Sequence, residues 1–167
     1  IMVKIVLVFF FIILQNQTLH GVEIYGAPKI IDGDTVHINK KKIRLEGIDA
    51  PEIKQQCKKP FLKISILIGF ELNKSYSCGV TSKEKLKYKI NDSEITCISS
   101  SKDKYKRYLA TCYKDKINLN KWMVRNGYAV AYKRYSKDYV RDEEFARKNK
   151  LGMWEGSFTS PEKWRKL

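Results

Sequence analysis

The chain has 167 residues, 43% of them hydrophobic, and its 33 Lys and Arg against 18 Asp and Glu give a formal net charge of +15 at pH 7. This apolar fraction excludes a disordered chain, and the length fits one domain that can bury a core without a metal or a disulfide. The charge predicts an acidic partner and does not choose between nucleic acid, an anionic membrane surface and a polyanionic glycan.

The first segment has the pattern of a signal peptide. Lys4 is followed by ten unbroken apolar residues, Ile5 to Leu14, and then by a polar stretch. A membrane-spanning helix needs about 20 apolar residues, so we predict a signal peptide over 1–21 and no stable membrane anchor after its cleavage. The domain is then expected over 22–167, in a monomeric protein that is secreted or periplasmic.

The next segments predict β-structure. Between Val22 and Gly47, short runs that alternate apolar and polar residues are separated by the turn formers Asp32-Gly33-Asp34 and Asn39-Lys40. This pattern indicates an antiparallel meander. The stretch from Lys58 to Ser77 contains apolar residues without a clean period, and we interpret it as an insert packed on the domain.

The second half of the chain mixes strands with helices. The predicted elements are a short helix over Val80–Lys89, strands over Glu94–Ile98 and Tyr108–Tyr113, and helices over Ile117–Asn126 and Lys137–Leu151. Each of the last two helices is followed by a glycine, a common helix stop. We assign Trp122, Trp154 and Trp164 to packing, and the charged residues of the last helix to a mixed solvated face. This inventory predicts an α+β fold, a five-stranded OB-fold Greek-key β-barrel with packed helices.

Four cysteines in an exported chain predict two disulfides. Three connectivities are possible. We favour Cys57 with Cys78, which would close the insert, and Cys97 with Cys112, which lie on two neighbouring predicted strands. Zinc ligation is the alternative, but the chain has no C-x-x-C pair and no histidine close in sequence to a cysteine.

Three segments carry the chemistry: Ile31–Val36 (IDGDTV), Ile43–Glu52 (IRLEGIDAPE) and Asp103–Ala110 (DKYKRYLA). Together they supply carboxylates for a hard cation such as Ca²⁺ or Mg²⁺, a further carboxylate able to act as a base, and two arginines able to grip phosphate. Taken singly, the first segment could be only a turn, and the charged residues of the others ordinary surface charges. Their combination favours a phosphodiesterase site.

These segments resemble the thermonuclease family, also called staphylococcal or micrococcal nuclease-like, whose hallmarks are IDGDT, RLxGIDAPE and DxYGR in this order. The similarity extends to Asn118–Gly127 (NLNKWMVRNG), Tyr128–Tyr132 (YAVAY) and Leu151–Trp154 (LGMW). The resemblance implies an SNase-like barrel and a calcium-dependent endonuclease that cuts DNA and RNA and leaves 3′-phosphate ends.

Carried over by position, the resemblance implies a role for each site residue. Ca²⁺ would be held by Asp34, by Asp49 and by the main-chain carbonyl of Ala50, where the family often has threonine. Glu52 would act as general base on a water, while the scissile phosphate would be held by the remaining pair, Arg44 and Arg107. Nucleic acid beyond that phosphate would contact three further side chains, those of Lys104, Tyr105 and Tyr132.

One position departs from the family pattern, because Lys106 stands where glycine is usual. If this residue needs a positive φ, lysine costs about 1 kcal/mol and could displace Arg107. Two alternatives stay open: a catalytically weak or inactive nucleic-acid-binding OB-fold module, which Lys106 favours, and a secreted basic protein that binds anionic cell-surface polymers, which would explain the net charge.

Overall fold

The computed structural model describes residues 21–64 and 70–167. The predicted signal peptide, apart from its last residue, lies outside the described residues. Among the helices of the described part, none is long and apolar enough to cross a membrane.

The described elements follow one another in this order: strands β1 (Val22–Gly26), β2 (Lys29–Ile30), β3 (Thr35–Ile38), β4 (Lys41–Leu45), β5 (Ile48–Asp49), β6 (Gln56–Ile64) and β7 (Phe70–Ser77), helix α1 (Cys78–Ile90), strands β8 (Ile95–Lys102), β9 (Tyr108–Lys114) and β10 (Ile117–Asn118), helix α2 (Leu119–Arg125), strand β11 (Val130–Ala131), helix α3 (Val140–Lys148), a 3₁₀ turn (Gly152–Glu155) and helix α4 (Pro161–Trp164).

A curled mixed sheet with strand order β1-β8-β9-β4-β3-β2 forms the barrel part of the fold, and β10 extends it beside β9. Five of its strands have at least four residues, and the pairing of β4 with β9 is parallel while the others are antiparallel. Strand β1, at one end of the sheet, approaches the turn between β3 and β4, where Asn39 Nδ2 donates to the Tyr25 carbonyl at 3.2 Å. The predicted α+β class and OB-like barrel with packed helices are confirmed.

The predicted meander is right for β2, β3 and β4 and wrong for β1, which pairs with β8 instead. The turn between β3 and β4 explains why the predicted pairing of these two strands is right. Asn39 and Lys40 both have positive φ, 48° and 66°, as in the two-residue turns that match the twist of a hairpin. Asp32-Gly33-Asp34 likewise connects β2 to β3.

The insert is a two-stranded antiparallel ribbon formed by β6 and β7. Its base is tied to the domain, because the Lys58 and Ser157 backbones exchange two hydrogen bonds of 2.9 and 3.0 Å. Farther along the ribbon Phe61 is 69% exposed and Leu72 is 41% exposed. The expectation of an insert packed on the domain is therefore correct only at the base, since a ribbon satisfies its own backbone without a second layer.

Both favoured disulfides are present. Cys97 and Cys112 lie directly opposite each other on β8 and β9, and both are fully buried. Cys57 at the start of β6 is bonded to Cys78 at the start of α1, which closes the ribbon at its base. The connectivity prediction is confirmed.

The helices pack on the barrel and differ from their predicted bounds. Helix α1 is longer than expected, while α2 begins at Leu119 because residues 117 and 118 extend the sheet beside β9. Helix α3 begins at Val140, later than predicted. The core between sheet and helices contains side chains that are at most 1% exposed: Ile38, Ile43, Leu45, Ile48, Leu86, Leu119 and Met123.

The mixed solvated face predicted for the helix over Lys137–Leu151, which is α3 in the structure, is wrong at two positions. Asp142 and Glu143 are only 6% and 4% exposed. Glu143 accepts a hydrogen bond from the Ala131 backbone N–H at 2.8 Å and pairs with Lys133 at 2.7 Å. Its carboxylate therefore braces β11, the strand that pairs with β5.

Candidate active site

Two buried aspartates form the centre of the site. Asp34 lies just before β3 and Asp49 on β5, and they are 3% and 1% exposed. Arg44 reaches them from β4 and bridges them, with Nη1 2.7 Å from Asp34 Oδ1 and Nη2 3.0 Å from Asp49 Oδ1. The antiparallel register of β3 and β4 places Arg44 opposite Thr35, beside Asp34. The sheet thus brings together three residues that the sequence segments predicted.

Asp34 is also held by hydrogen bonds with residues other than Arg44. Its Oδ1 accepts from Thr35 Oγ1 at 3.0 Å, and its Oδ2 accepts from the Ala50 backbone N–H at 2.9 Å. Its own backbone N–H donates to Asp32 Oδ1 at 2.9 Å. Asp32 was not predicted as a site residue, although the turn it opens is in the first segment. The fold therefore holds both oxygens of this carboxylate.

The electrostatics of the pair follow from its burial. Burial raises the pKa of Asp34 to about 6, although Arg44 opposes the rise and Asp32 adds to it. Burial also raises the pKa of Asp49, against the hydrogen bond from Arg165. The pKa of Arg44 is above its ordinary value, because the two aspartates outweigh the effect of burial. The guanidinium therefore stays charged between them.

Glu52 joins the same cluster through an arginine that the sequence did not reveal. Arg165, directly after α4, places Nη2 2.9 Å from Asp49 Oδ2 and Nη1 3.0 Å from Glu52 Oε1. Arg165 belongs to none of the three segments and lies 113 residues from Glu52. No periodicity or motif could have predicted this contact, because it depends on the packing of α4.

The loop that carries Glu52 is fixed from two sides. The fully buried Gln55 accepts from the Glu52 backbone N–H at 3.4 Å and donates from Nε2 to the Thr159 carbonyl at 2.7 Å. On the other side, Gly79 in α1 lies so close that a Cβ there would be 1.8 Å from the Glu52 carbonyl oxygen. The loop position therefore depends on a residue without a side chain.

Arg107 lies on a separate loop. It precedes β9, whose parallel pairing with β4 puts Leu109 beside Arg44. Its guanidinium is held by Asp103, with Nη2 2.7 Å and Nε 2.8 Å from Oδ2. Lys106 has φ +63°, so the positive φ considered for this position is present.

The residues predicted to contact nucleic acid lie on two separate segments, the Arg107 loop and the residue after β11. Tyr105 is 66% exposed on the Arg107 loop, with Lys104 Nζ 5.0 Å from its ring centre. Tyr132 follows β11 and donates its backbone N–H to the Gly47 carbonyl at 2.9 Å. It lines a cavity of about 260 Å³ with Asp49, Arg134, Trp154 and Phe158. Burial and the nearby Asp49 raise the pKa of Tyr132.

The donor set could hold a hard cation. Within the described ranges, no group of three or more His, Cys, Asp and Glu side chains lies close enough to hold a metal ion. The carboxylates that Arg44 brings together are the pair Asp34 and Asp49. Both present oxygen donors, and the backbone of Ala50 lies beside them, because its N–H donates to Asp34 Oδ2. Oxygen ligands of this kind, completed by water, suit Ca²⁺ or Mg²⁺.

The fold and this set of charged residues define a hydrolase of the nuclease class. Residues 42–156 match the family described as staphylococcal nuclease homologue, and the chain belongs to this family. Asp34 and Arg165 both lie outside the matched residues.

Several relatives align with most of the chain. An uncharacterized endonuclease of Haemophilus influenzae is 34% identical over 83% of this chain and 70% of its own length. An uncharacterized endonuclease of Escherichia coli O157:H7 is 30% identical over 79% of this chain and 78% of its own length. The succinoglycan biosynthesis protein ExoI of Rhizobium meliloti is 31% identical over 78% of this chain, and the alignment spans 64% of that relative.

Proposed function

We propose that the protein is an exported, calcium-dependent endonuclease that hydrolyses phosphodiester bonds of DNA and RNA to 3′-phosphate ends. One observation carries this proposal: two buried aspartates, a third carboxylate and two guanidinium groups form one connected cluster at the edge of an open cavity. The endonuclease names of two relatives and the net charge of +15 support a polyanionic substrate.

Asp34 and Asp49 would hold Ca²⁺ together with the main-chain carbonyl of Ala50. A cation bound there supplies positive charge beside the reacting phosphate. Both oxygens of the Asp34 carboxylate are already held by the fold, through Thr35 and the Ala50 backbone N–H, so binding would require little rearrangement of Asp34. Oxygen donors alone favour Ca²⁺ or Mg²⁺ over a softer metal.

Glu52 would take the proton of the attacking water as its oxygen forms a bond to phosphorus. The bond from phosphorus to the 5′-oxygen would break in line, and the 5′-oxygen would take a proton from solvent as it leaves, so that the phosphate stays on the 3′ side. Arg44 and Arg107 would each donate to phosphate oxygens and so offset the charge that builds during the attack. This sequence of steps does not involve the ribose 2′-hydroxyl, in keeping with action on both DNA and RNA.

Lys104, Tyr105 and Tyr132 would contact the strand on either side of the scissile phosphate. An exposed tyrosine ring can stack on any base, which is worth about 1–3 kcal/mol per base and does not depend on sequence. Unpaired strands expose their bases for such stacking. We therefore expect a preference for single-stranded substrates.

Export is supported by the chemistry of the cysteines. Both disulfides join residues that are at most 2% exposed, and such bonds form and persist in oxidising compartments. A secreted or periplasmic location is consistent with this and with the predicted signal peptide.

The experiment that tests the function is digestion of end-labelled single-stranded DNA and RNA by the purified protein, with Ca²⁺ or with a chelator. We expect cutting only with Ca²⁺, and a loss of about 10²–10⁴-fold in Glu52→Gln, the range for a general base. Glu46→Gln is the matched control, because it removes the same charge from the same segment. Cutting by wild type in chelator, together with cutting by Glu52→Gln at the wild-type rate, would contradict the mechanism.

A nucleic-acid-binding module without catalysis is the second candidate. The observation that favours it is that Glu52 and Arg107 both have their charges engaged by protein partners, Arg165 and Asp103. Binding of the labelled strands without cutting, in Ca²⁺ at low salt, would select this candidate over the first.

A further inference from the structure

Arg165 is the one member of the charged cluster that lies outside every predicted segment and outside the residues that match the family. It follows α4, a helix of four residues, and its backbone N–H donates to the Pro161 carbonyl at 3.1 Å. Its guanidinium reaches both Asp49 and Glu52, and its side chain is 33% exposed. The residue thus contacts a proposed cation ligand and the proposed base at once.

The carboxylate oxygens of Asp34 and Asp49 all have donors from the protein. Arg44 donates a hydrogen bond to one oxygen of each aspartate. The second oxygen of Asp34 accepts from the Ala50 N–H, and the second oxygen of Asp49 accepts from Arg165. A cation that binds Asp49 through this last oxygen competes with the Arg165 guanidinium for it, because two positive charges at one oxygen repel each other. The guanidinium and the cation therefore weaken each other's binding there.

Arg165 is the donor that can leave most easily. Arg44 lies in β4, between β3 and β9, and its side chain is only 16% exposed. Arg165 has twice that exposure and is outside the sheet. Breaking its ion pair with Asp49 therefore costs less packing than moving Arg44.

The charges of the cluster favour replacement of Arg165 by a cation at Asp49 when substrate is present. Three carboxylates, those of Asp34, Asp49 and Glu52, face two guanidinium groups, so this cluster carries a net charge of −1. A divalent cation would make it positive, and an anionic phosphodiester would then neutralise it. A guanidinium released from Asp49 is suited to this anion, because its planar fork can donate two hydrogen bonds to phosphate oxygens.

We propose that Arg165 is a further active-site residue, which gives up Asp49 when the cation binds and then donates to the substrate phosphate. This inference rests on the proposed cation site at Asp34 and Asp49. It assigns Arg165 two opposite effects, since it weakens binding of the cation and strengthens binding of the nucleic acid.

The test uses binding and not cleavage. Titration calorimetry of the full chain with Ca²⁺ alone should give a dissociation constant about five- to tenfold lower for Arg165→Gln than for wild type. At saturating Ca²⁺, a single-stranded oligonucleotide with phosphorothioate linkages should bind several-fold more weakly to the same variant. Arg165→Lys should resemble Arg165→Gln in the first measurement, because a compact ammonium cannot bridge both carboxylates as the fork does.

Arg134→Gln is the matched control. Arg134 lines the cavity that Asp49 also lines and is 3.8 Å from Glu162, so its loss removes an equal charge near the site without removing a contact of Asp49. We expect its Ca²⁺ dissociation constant within about twofold of wild type, because exposed charges are largely screened at ordinary ionic strength. An equal gain of Ca²⁺ affinity in both variants would show a general charge effect and overturn the proposal.

A second measurement does not depend on any variant. The ¹⁵N resonances of the Arg165 guanidinium in wild type should shift as Ca²⁺ is added. Unshifted resonances, or equal Ca²⁺ affinity in wild type and Arg165→Gln, would overturn the exchange and leave the proposed nuclease function standing. Failure of both proteins to bind Ca²⁺ would overturn the cation site and the exchange together.

Discussion

Asp103 holds Arg107 from two directions. Its Oδ1 accepts the Arg107 backbone N–H at 3.0 Å, while its Oδ2 accepts the guanidinium Nε at 2.8 Å. Burial works to raise the pKa of Asp103, but these hydrogen bonds outweigh it and the pKa lies below its ordinary value. The loop before β9 is therefore built around an ionised aspartate, which both closes the turn and orients the arginine.

Replacement of Asp103 by asparagine should lower the free energy of unfolding at pH 7 by about 1.5–3 kcal/mol, the scale of a hydrogen bond to a charged group. Because the folded pKa of Asp103 is lowered, its contribution is present above the unfolded value of about 3.9 and is lost as the pH falls through the folded value. Urea unfolding at several pH values between 7 and 3 should show the gap between wild type and Asp103→Asn narrowing toward acid. The exposed Asp138, changed to asparagine, should show no such gap.

Lys106→Gly should raise the free energy of unfolding by up to about 1 kcal/mol, because Lys106 has φ +63° and glycine adopts this conformation without strain. Thermal unfolding measures the gain. In the same loop Lys104 is not among the residues with positive φ, so Lys104→Gly should lower stability. If Lys106→Gly and Lys104→Gly lower the free energy of unfolding equally, the positive φ of Lys106 does not strain the folded loop. Relief of the strain should also leave Arg107 on Asp103, so cleavage should not fall.

The barrel was predictable because its signals are local. A few neighbouring residues are enough to recognise the alternation over β3 and β4, the Asn39-Lys40 turn and the strand around each of Cys97 and Cys112. The pairing of β1 was not predictable. Its partner β8 lies about 70 residues later, and nothing in Val22–Gly26 shows that β1 pairs with β8 and not with β2. Local pattern gives a strand, and its pairing depends on the whole sheet.

The candidate site was predictable to the same extent. Asp34, Arg44, Asp49 and Glu52 are carried by motifs, and the structure brings them together. Arg165 and Glu143 are carried by none. A charged residue on a helix is normally solvated, and only the position of α3 behind β11 makes Glu143 a buried acceptor for Ala131.

The two disulfides should differ in function more than in stability. Loops of 15 and 21 residues predict that loss of either bond costs about 3 kcal/mol. Cys97 and Cys112 join strands that are already paired, whereas the Cys57–Cys78 bond joins the ribbon to α1 close to the Glu52 loop. Alanine at both Cys57 and Cys78 should therefore reduce cleavage more than alanine at both Cys97 and Cys112, when each is assayed well below its unfolding temperature. Equal cleavage would show that the bond does not position the loop.

Gly79→Ala sets two effects against each other. Helix propensity alone would stabilise α1 by about 1 kcal/mol, but the new Cβ would lie 1.8 Å from the Glu52 carbonyl oxygen, a backbone atom that cannot rotate away. Overpacking of this kind costs about 1–3 kcal/mol or more, so we expect a net loss of stability and a larger loss of cleavage, because displacing a catalytic group by about 1 Å can cost 10²-fold. The next residue provides the control: Val80 is 43% exposed, and Val80→Ala should leave cleavage unchanged. Thermal unfolding and the single-strand cleavage rate, measured on both variants, test the argument, and a Gly79→Ala protein that is more stable than wild type and equally active would show that α1 does not set the position of Glu52.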